Sequence, residues 1–137
     1  MNTNKFIVGG IVGSIVSFVL GNLFYNFLFK TYFDANVYPV DFSTLKWWAS
    51  LTSTLCWGFL FAYIIEQAKA TTIKSGATIA IVVSIIVQLN IDLGFYAVGM
   101  IYKDLTVIAA DVLLTGFISS IIGAAIIFAG SKVKVSA

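Results

Sequence analysis

The sequence contains no histidine and no arginine, and it has a single cysteine, Cys56, and a single proline, Pro39. Histidine is the commonest metal ligand and the usual general base. Its absence disfavours histidine metal sites, histidine-ligated haem and most hydrolytic mechanisms. One cysteine cannot form a disulfide within the chain or a multi-cysteine metal site. We therefore expect no bound metal, no cofactor and no catalytic residues.

Charged residues are scarce as well. They make up 10% of the 137 residues, whereas 60% are hydrophobic, and the mean hydropathy is +1.01. A soluble protein of this size would need more charged side chains to cover its core. The net charge of +2 is small and scattered, so we do not expect nucleic acid as a partner. The high hydropathy instead makes the lipid bilayer the expected surroundings.

Four long apolar stretches run along the chain, at about 6–29, 46–65, 77–102 and 105–130. A helix of about 20 apolar residues crosses a hydrocarbon core of roughly 30 Å. The pattern predicts an all-α fold, an integral membrane four-helix bundle that forms one transmembrane domain over residues 1–137. The first stretch has no small-residue cleavage site at its exit, so we expect it to be retained and not removed as a signal peptide.

The segments between the stretches differ in length. Residues 30–45 are too apolar for a free linker and are predicted to lie on the outer interface as a partial lid, with Trp47 and Trp48 at headgroup level. Only Lys103 and Asp104 separate the last two stretches, which predicts an antiparallel hairpin of neighbouring helices. Side chains suited to helix N-caps precede three stretches: Asp41 or Ser43, Thr72 or Ser75, and Asp104.

The distribution of lysine predicts the orientation in the membrane. With four spans both termini lie on one side, and cytoplasmic loops carry an excess of basic residues. Five lysines fall on the side of the termini and three on the other, which predicts an up-down-up-down bundle with cytoplasmic N and C termini. The five are Lys5, Lys69, Lys74, Lys132 and Lys134, and the three are Lys30, Lys46 and Lys103.

Small residues recur at every fourth position of the first stretch and again in the fourth. In lipid, helices associate largely through close packing of such residues. We expect helix contacts at these positions, either within the chain, which we favour, or in a homo-oligomer. The residues are Gly9, Gly13, Ser17 and Gly21 in the first stretch and Gly116, Ser120 and Ala124 in the fourth.

Two carboxylates, Asp92 and Asp111, fall inside apolar stretches. A central aspartate costs about 2.5 to 3.5 kcal/mol on insertion scales, so such residues are usually paired or functional. At about 1.5 Å per residue, the two lie roughly 17 Å and 11 Å from the outer turn, in the outer half of the bilayer. No lysine is predicted at that depth. We therefore expect at least one of them to be protonated or paired with a cation.

Other polar side chains share the faces and the depth of these carboxylates. Together they predict an outward-facing pocket for a small ligand, a cation or a proton. A structural interpretation stays open, in which the polar groups only bond helices together at about 0.6 kcal/mol per interaction. The candidate ligand-binding residues are Asp92, Asp111, Asn22, Asn26, Gln88, Tyr96 and Thr115, with Ser50, Thr54 and Trp57 as the fourth wall.

The remaining polar and aromatic residues have simpler interpretations. Asn90 lies roughly 200° around the helix from Asp92, so it is expected to contact another helix or a partner subunit. Cys56 is interpreted as a small packing residue. Five tyrosines near the outer interface are expected to form a membrane-anchoring belt: Tyr25, Tyr32, Tyr38, Tyr96 and Tyr102.

The first stretch contains the motifs Gly9-Gly10-Ile11-Val12-Gly13, Leu20-Gly21-Asn22-Leu23-Phe24-Tyr25 and Phe29-Lys30. It resembles the opening of a group of small four-helix bacterial membrane proteins of unknown function. Members often show Leu-Gly-x-x-x-Tyr there and an aspartate in the third helix, which Asp92 matches. Phe24 stands where the group usually has tryptophan. The resemblance implies a multi-pass protein of the bacterial cytoplasmic (inner) membrane and no established activity.

Three function classes follow from these observations. The first is a binding or translocation module built around the two aspartates. The second is an accessory or assembly subunit of a larger membrane complex, in which the polar residues are only helix contacts. The third, an intramembrane aspartyl enzyme, is disfavoured because the Gly-x-Gly-Asp pattern of such proteases is absent before Asp92 and Asp111. We therefore do not expect an enzyme.

Overall fold

The computed structural model describes residues 2–39 and 46–133. This part of the chain forms five α-helices and one π-helical segment and contains no β-strand. The helices are α1, Thr3–Leu23; α2, Lys30–Asn36; α3, Trp47–Gln67; α4, Ile73–Ala97; and α5, Leu105–Ser131, and the π-helical segment is Phe24–Leu28. The predicted all-α class is confirmed.

Four helical segments are long and apolar enough to cross a membrane. With the π-helical segment counted as part of the first, they contain 26, 21, 25 and 27 residues. Each includes an 18-residue stretch whose mean hydropathy is 2.0, 1.4, 1.9 or 2.3, in chain order. At about 1.5 Å per residue, even the shortest is roughly 30 Å long, the thickness of a hydrocarbon core. These helices are consistent with a multi-pass membrane protein.

Two of the predicted helix caps are present. Thr72 and Ser75 form a capping box at the start of α4, in which each side-chain oxygen accepts the other residue's backbone N–H. Asp104 caps α5 by accepting the backbone N–H groups of Thr106 and Val107. Hydrogen bonds from the Thr106 side chain and the Val107 backbone hold the pKa of Asp104 below its usual range. Both helices therefore begin where the sequence provides acceptors.

The end predicted for the third span is wrong. Helix α4 ends at Ala97 and not at Tyr102, and the connection to α5 runs over residues 98–104. Gly99 and Ile101 have φ angles of +69° and +66°. A left-handed conformation costs roughly 1 to 2 kcal/mol for a residue with a Cβ. This turn folds Tyr102 back into the protein, where it is only 8% exposed, so Tyr102 does not belong to an interfacial belt.

The predicted outer lid begins as helix α2 and lies against this turn. Backbone bonds join the two segments, from Tyr38 N–H to the Ile101 carbonyl at 2.7 Å and from Lys103 N–H to the Asn36 carbonyl at 3.3 Å. The lysine Nζ of Lys103 also donates to the Ala35 carbonyl at 2.6 Å. Residues 40–45, including the predicted caps Asp41 and Ser43, lie outside the described residues. We call this end of the molecule the α2 end.

The four long helices pack as an array in the order α3, α1, α5, α4. Helix α1 packs extensively against α3 and α5, and α5 against α4, whereas α3 and α4 barely touch. Helices α1 and α5 lie close together at the end opposite α2, where a Cβ on Gly9 or Gly13 would be 3.0 Å or 2.9 Å from the Ile126 side chain. Gly9 and Gly13 are thus contacts within the chain.

Other members of the predicted stripes do not pack in this way. No neighbouring atom lies within 4 Å of the Cβ position of Gly21, and Gly21 and Ser17 instead line a cavity. Ser120 donates its hydroxyl to the Phe117 carbonyl of its own helix. Gly116, in contrast, is buried and packs against Ile85 of α4. The stripe of α1 therefore fails toward the α2 end, because α1 separates from its neighbours there.

The apolar core shows the same asymmetry. The larger of two buried clusters lies toward the end opposite α2, and α1 and α3 bury residues only in their halves nearest that end. A second buried cluster lies at the α2 end and consists of Tyr102, Val107, Ile108 and Val112. Trp47 and Trp48, at the start of α3, are 64% and 69% exposed. The larger cluster consists of Phe61, Ala62, Ile65, Ala80, Ile118, Ile122 and Ile126. Helices α1 and α3 are therefore closely packed only at the end opposite α2, whereas α5 is buried along its whole length.

Candidate functional site, a buried carboxyl pair

The structure brings Asp92 of α4 and Asp111 of α5 together, and we call them the carboxyl pair. Their side chains are 0% and 5% exposed. The amide of Gln88 donates to Asp92 Oδ1 at 2.8 Å and to Asp111 Oδ2 at 3.2 Å. The Tyr102 hydroxyl lies 2.9 Å and 2.8 Å from the same two oxygens. One amide and one hydroxyl therefore bridge two acidic groups from neighbouring helices.

The cluster has fewer donor hydrogen atoms than donor–acceptor contacts. The Gln88 amide has two hydrogens for two acceptors, but the Tyr102 hydroxyl has one hydrogen for two. A proton on either carboxyl group would complete the set by donating back to the Tyr102 oxygen. In addition, the buried Oδ2 of Asp92 has no hydrogen-bond partner among the described residues. The cluster therefore has room for one more positive or hydrogen-donating group.

The surroundings of Tyr102 keep its hydroxyl protonated, so that it acts as a hydrogen-bond donor. It lies in the 98–104 turn, and burial, together with the nearby Asp111, raises the pKa of its phenol well beyond the usual range. An ionised phenol would add a third negative charge to the cluster. The neutral hydroxyl is therefore the form that the pair stabilises.

Tyr25 reaches the same pair from the π-helical segment. Its hydroxyl donates to Asp111 Oδ1 and lies 2.9 Å from the Thr115 hydroxyl. In this segment the Phe29 N–H bonds to the Phe24 carbonyl, five residues earlier. Such π-helical turns occur often at functional sites. Tyr25 is thus an additional member of the site and not part of the interfacial belt.

A cavity with polar and apolar lining adjoins the carboxyl pair on the side facing the larger apolar cluster, and we call it the chamber. Its volume is about 250 Å³, and its lining comes from all four long helices and the π-helical segment. Asp111 is the carboxyl group that lines it, while Asp92 lies behind. The lining includes Ser17, Gly21, Tyr25, Trp57, Phe61, Gln88, Asp111, Thr115 and Ser119.

A second cavity of about 550 Å³ lies at the α2 end, and we call it the vestibule. It is lined by residues of the π-helical segment, of α2 and of the 98–104 turn, including Asn26, Lys30, Asp34 and Tyr102. Tyr25 and Asp111 line both cavities. The hydrogen bond between these two side chains therefore lies between the chamber and the vestibule.

No basic side chain of the described residues forms an ion pair with the carboxyl pair. The ion pair in this part of the chain joins Lys30 to Asp34 on α2, where both side chains are 55% exposed. Residues 2–39 and 46–133 also contain no group of three or more acidic, cysteine or histidine residues placed to hold a metal ion. Any negative charge on the pair is thus balanced by hydrogen-bond donors alone.

No family model, curated protein or solved structure matches this chain. The site must therefore be interpreted from its own geometry.

The structure brings some of the predicted site residues together and separates others. Asp92, Asp111, Gln88 and Thr115 belong to the cluster, and Trp57 forms the wall contributed by α3. Thr54 instead donates to the Ser50 carbonyl of its own helix and lies in a groove between α1 and α3.

Three predicted residues do not join the cluster. The Asn22 amide donates to the Phe18 carbonyl of its own helix and accepts a bond from Asn26, which lines the vestibule. Tyr96 is 38% exposed and has no side-chain hydrogen bond among the described residues. The position predicted for Tyr96 is occupied by Tyr102, because the turn after Ala97 returns the chain toward the pair. The sequence did contain an indication that Tyr25 belongs to the site: Tyr25 follows Gly21 by four residues and so continues the same helical face.

Proposed function

We propose that this protein is a multi-pass membrane protein that binds a cation or a proton at the carboxyl pair. The supporting observation is two buried carboxyl groups that share the hydrogens of Gln88 and Tyr102 and adjoin a cavity. No basic residue within 2–39 or 46–133 forms an ion pair with them. Buried acidic groups that have no basic partner are costly in a membrane, and a bound cation or proton offsets that cost.

The proposed threading places the four long helices up-down-up-down, with both termini in the cytoplasm and the α2 end outside. The excess of lysine on the side of the termini supports this orientation. The vestibule then opens toward the outer face, and the tightly packed core closes the cytoplasmic side. The resemblance of the first helix to a bacterial group supports the bacterial cytoplasmic membrane. We propose no catalytic role.

Unfolding of the purified protein in a mild detergent tests this function. We expect the unfolding temperature to depend on pH and on monovalent cations, because a ligand at 100 times its Kd stabilises the folded state by about 2.7 kcal/mol. The Asp111→Asn variant should lose that dependence. Asp34→Asn, which removes an exposed carboxylate, should retain it. The other titratable groups facing the pair are Tyr25 and Tyr102.

A wild-type protein whose stability does not respond to pH or cations, and does not change in Asp92→Asn and Asp111→Asn, would contradict the binding function. The polar cluster would then act only in helix association.

A second candidate function is an accessory subunit of a larger membrane complex. The observation that favours it is Asn90, which is exposed on α4 and has no side-chain hydrogen bond among the described residues. An amide facing lipid is unfavourable and can be satisfied by a helix of another subunit. Purification in mild detergent tests this candidate: it predicts a stoichiometric partner that is lost in Asn90→Leu. A monodisperse monomer would contradict it.

A further inference from the structure

The side chains that line the chamber indicate which chemical type of cation it suits. On α3, the rings of Trp57 and Phe61 lie 5.2 Å apart between centroids and are inclined by 31°. Both line the chamber together with Asp111. A carboxylate and aromatic faces around one cavity are the two features that attract an ammonium group, by charge and by cation–π interaction.

The size of the chamber disfavours a bare metal ion. Its volume of about 250 Å³ corresponds to about eight water molecules. A metal ion would need several oxygen ligands at short range, yet only one carboxyl group, Asp111, lines the cavity. The apolar and aromatic walls offer little to a hydrated ion, whereas they match the methyl or methylene groups of an organic cation.

The volume of the chamber also sets an upper limit on the size of the ligand. Pockets for drug-sized molecules occupy about 300 to 1,000 Å³, so this chamber suits a smaller molecule. Ser119, another polar residue of the lining, makes no side-chain hydrogen bond among the described residues and can offer its hydroxyl to one polar substituent.

We infer that the chamber binds a small organic cation, an ammonium with apolar substituents, with its charge beside Asp111 and its substituents against Trp57 and Phe61. This inference rests on the proposed function and specifies its ligand. Entry from the vestibule requires the Tyr25 side chain to move from Asp111, since this bond lies between the two cavities.

Trp57 provides the means of measurement. The chain has three tryptophans, and the other two, Trp47 and Trp48, are exposed. Replacing both by phenylalanine leaves Trp57 as the only indole reporter. The purified double variant in detergent is titrated with choline, with its neutral isostere 3,3-dimethylbutan-1-ol, and with sodium chloride. We expect a saturable change in Trp57 emission with choline and at least about tenfold weaker binding of the isostere, because a factor of ten is about 1.4 kcal/mol.

Two variants locate the binding in the chamber. Asp111→Asn should weaken choline binding at least about tenfold, since it removes the opposing charge. Gly21→Leu should abolish binding by filling the cavity. It should fold because no described residue lies within 4 Å of the Cβ position of Gly21 and the cavity of about 250 Å³ can take up the rest of the side chain. The matched control is Gly94→Leu, since Gly94 has the same open surroundings on α4 but does not line the chamber.

The outcomes separate the inference from the proposed function. Equal binding of choline and its isostere, or unchanged binding in Gly21→Leu, would overturn the organic-cation inference. If only sodium ions or protons stabilise the protein in an Asp111-dependent way, the inference fails and the proposed function stands. If nothing stabilises it in that way, both fail. Should Asp111→Asn not fold, Gly21→Leu against Gly94→Leu still decides whether choline occupies the chamber.

Discussion

Tyr102 is the residue on which the carboxyl pair depends most. It contributes one hydroxyl to two acidic side chains from different helices, and it is buried although it lies in a turn. Losing one partner of a buried hydrogen bond leaves the other unsatisfied, which costs more than the bond itself contributes. The preceding residue, Ile101, has a φ of +66°, so the turn that places this hydroxyl is accompanied by backbone strain.

We predict that Tyr102→Phe lowers the free energy of unfolding by about 1 to 3 kcal/mol, because the two carboxyl groups lose the buried hydroxyl that they share. The measurement is denaturant or thermal unfolding in detergent. Tyr96→Phe is the matched control and should change stability little, because Tyr96 is partly exposed and makes no side-chain hydrogen bond within the described residues. Equal effects of the two substitutions would show that Tyr102 does not support the pair.

At the scale of the elements, two features position the site: the 98–104 turn and the close contact of α4 with α5. The turn requires left-handed backbone at Gly99 and Ile101. The helix contact depends on Gly123, where a Cβ would overlap the Gly76 carbonyl oxygen and lie 2.8 Å from the Ala80 side chain. Both features act at a distance from the carboxyl groups, yet together they hold Asp92 and Asp111 at one depth.

Gly99→Ala should destabilise the protein by about 1 to 2 kcal/mol, because the new Cβ is strained at a φ of +69°. Gly94→Ala, within helix α4 and with no atom near its Cβ position, should instead stabilise it by about 0.5 to 1 kcal/mol. Opposite signs in unfolding measurements would support the left-handed turn. A neutral Gly99→Ala would argue against it.

Gly123→Ala should destabilise the α4–α5 contact by about 1 to 3 kcal/mol, since the added methyl group meets backbone that cannot move without separating the helices. Gly130→Ala, on the same helix and with open space around its Cβ position, provides the comparison. Thermal unfolding of the two variants side by side is the measurement. A stable Gly123→Ala protein would mean that the helices lie farther apart.

At the scale of the whole molecule, α1 and α3 are packed tightly at the end opposite α2 and less tightly toward the α2 end. The larger apolar cluster lies at the end opposite α2, whereas the chamber and the vestibule lie nearer the α2 end, beside the smaller cluster around Tyr102. With the proposed threading, an outer ligand can approach the carboxyl pair, and the core blocks passage to the cytoplasm. This shape suits a binding site more than an open channel.

Cysteine labelling tests that threading. In a Cys56→Ser background, single cysteines replacing Lys69 and Lys103 should react with a membrane-impermeant reagent from opposite faces of the bilayer. The physical reason is that α4 lies between them and is long enough to cross. Labelling of both positions from one face would contradict the topology and, with it, the outward-facing vestibule.

The sequence by itself determined the secondary structure class, the number of long apolar helices and the presence of two acidic groups within them. These follow from local properties, since apolar length decides what can cross a bilayer and side-chain oxygens such as those of Thr72 and Asp104 mark helix starts. The approach of Gly9 and Gly13 to another helix was also visible in their spacing.

Only the tertiary structure decided which polar groups meet. Tyr102 joins the pair because a left-handed turn reverses the chain, and Tyr96 and Asn22 do not because their side chains face elsewhere. Ser17 and Gly21 line a cavity because the helices diverge, although their spacing matches that of Gly9 and Gly13. Helical periodicity defines a face, but the angle between helices decides whether that face meets a neighbour or a cavity.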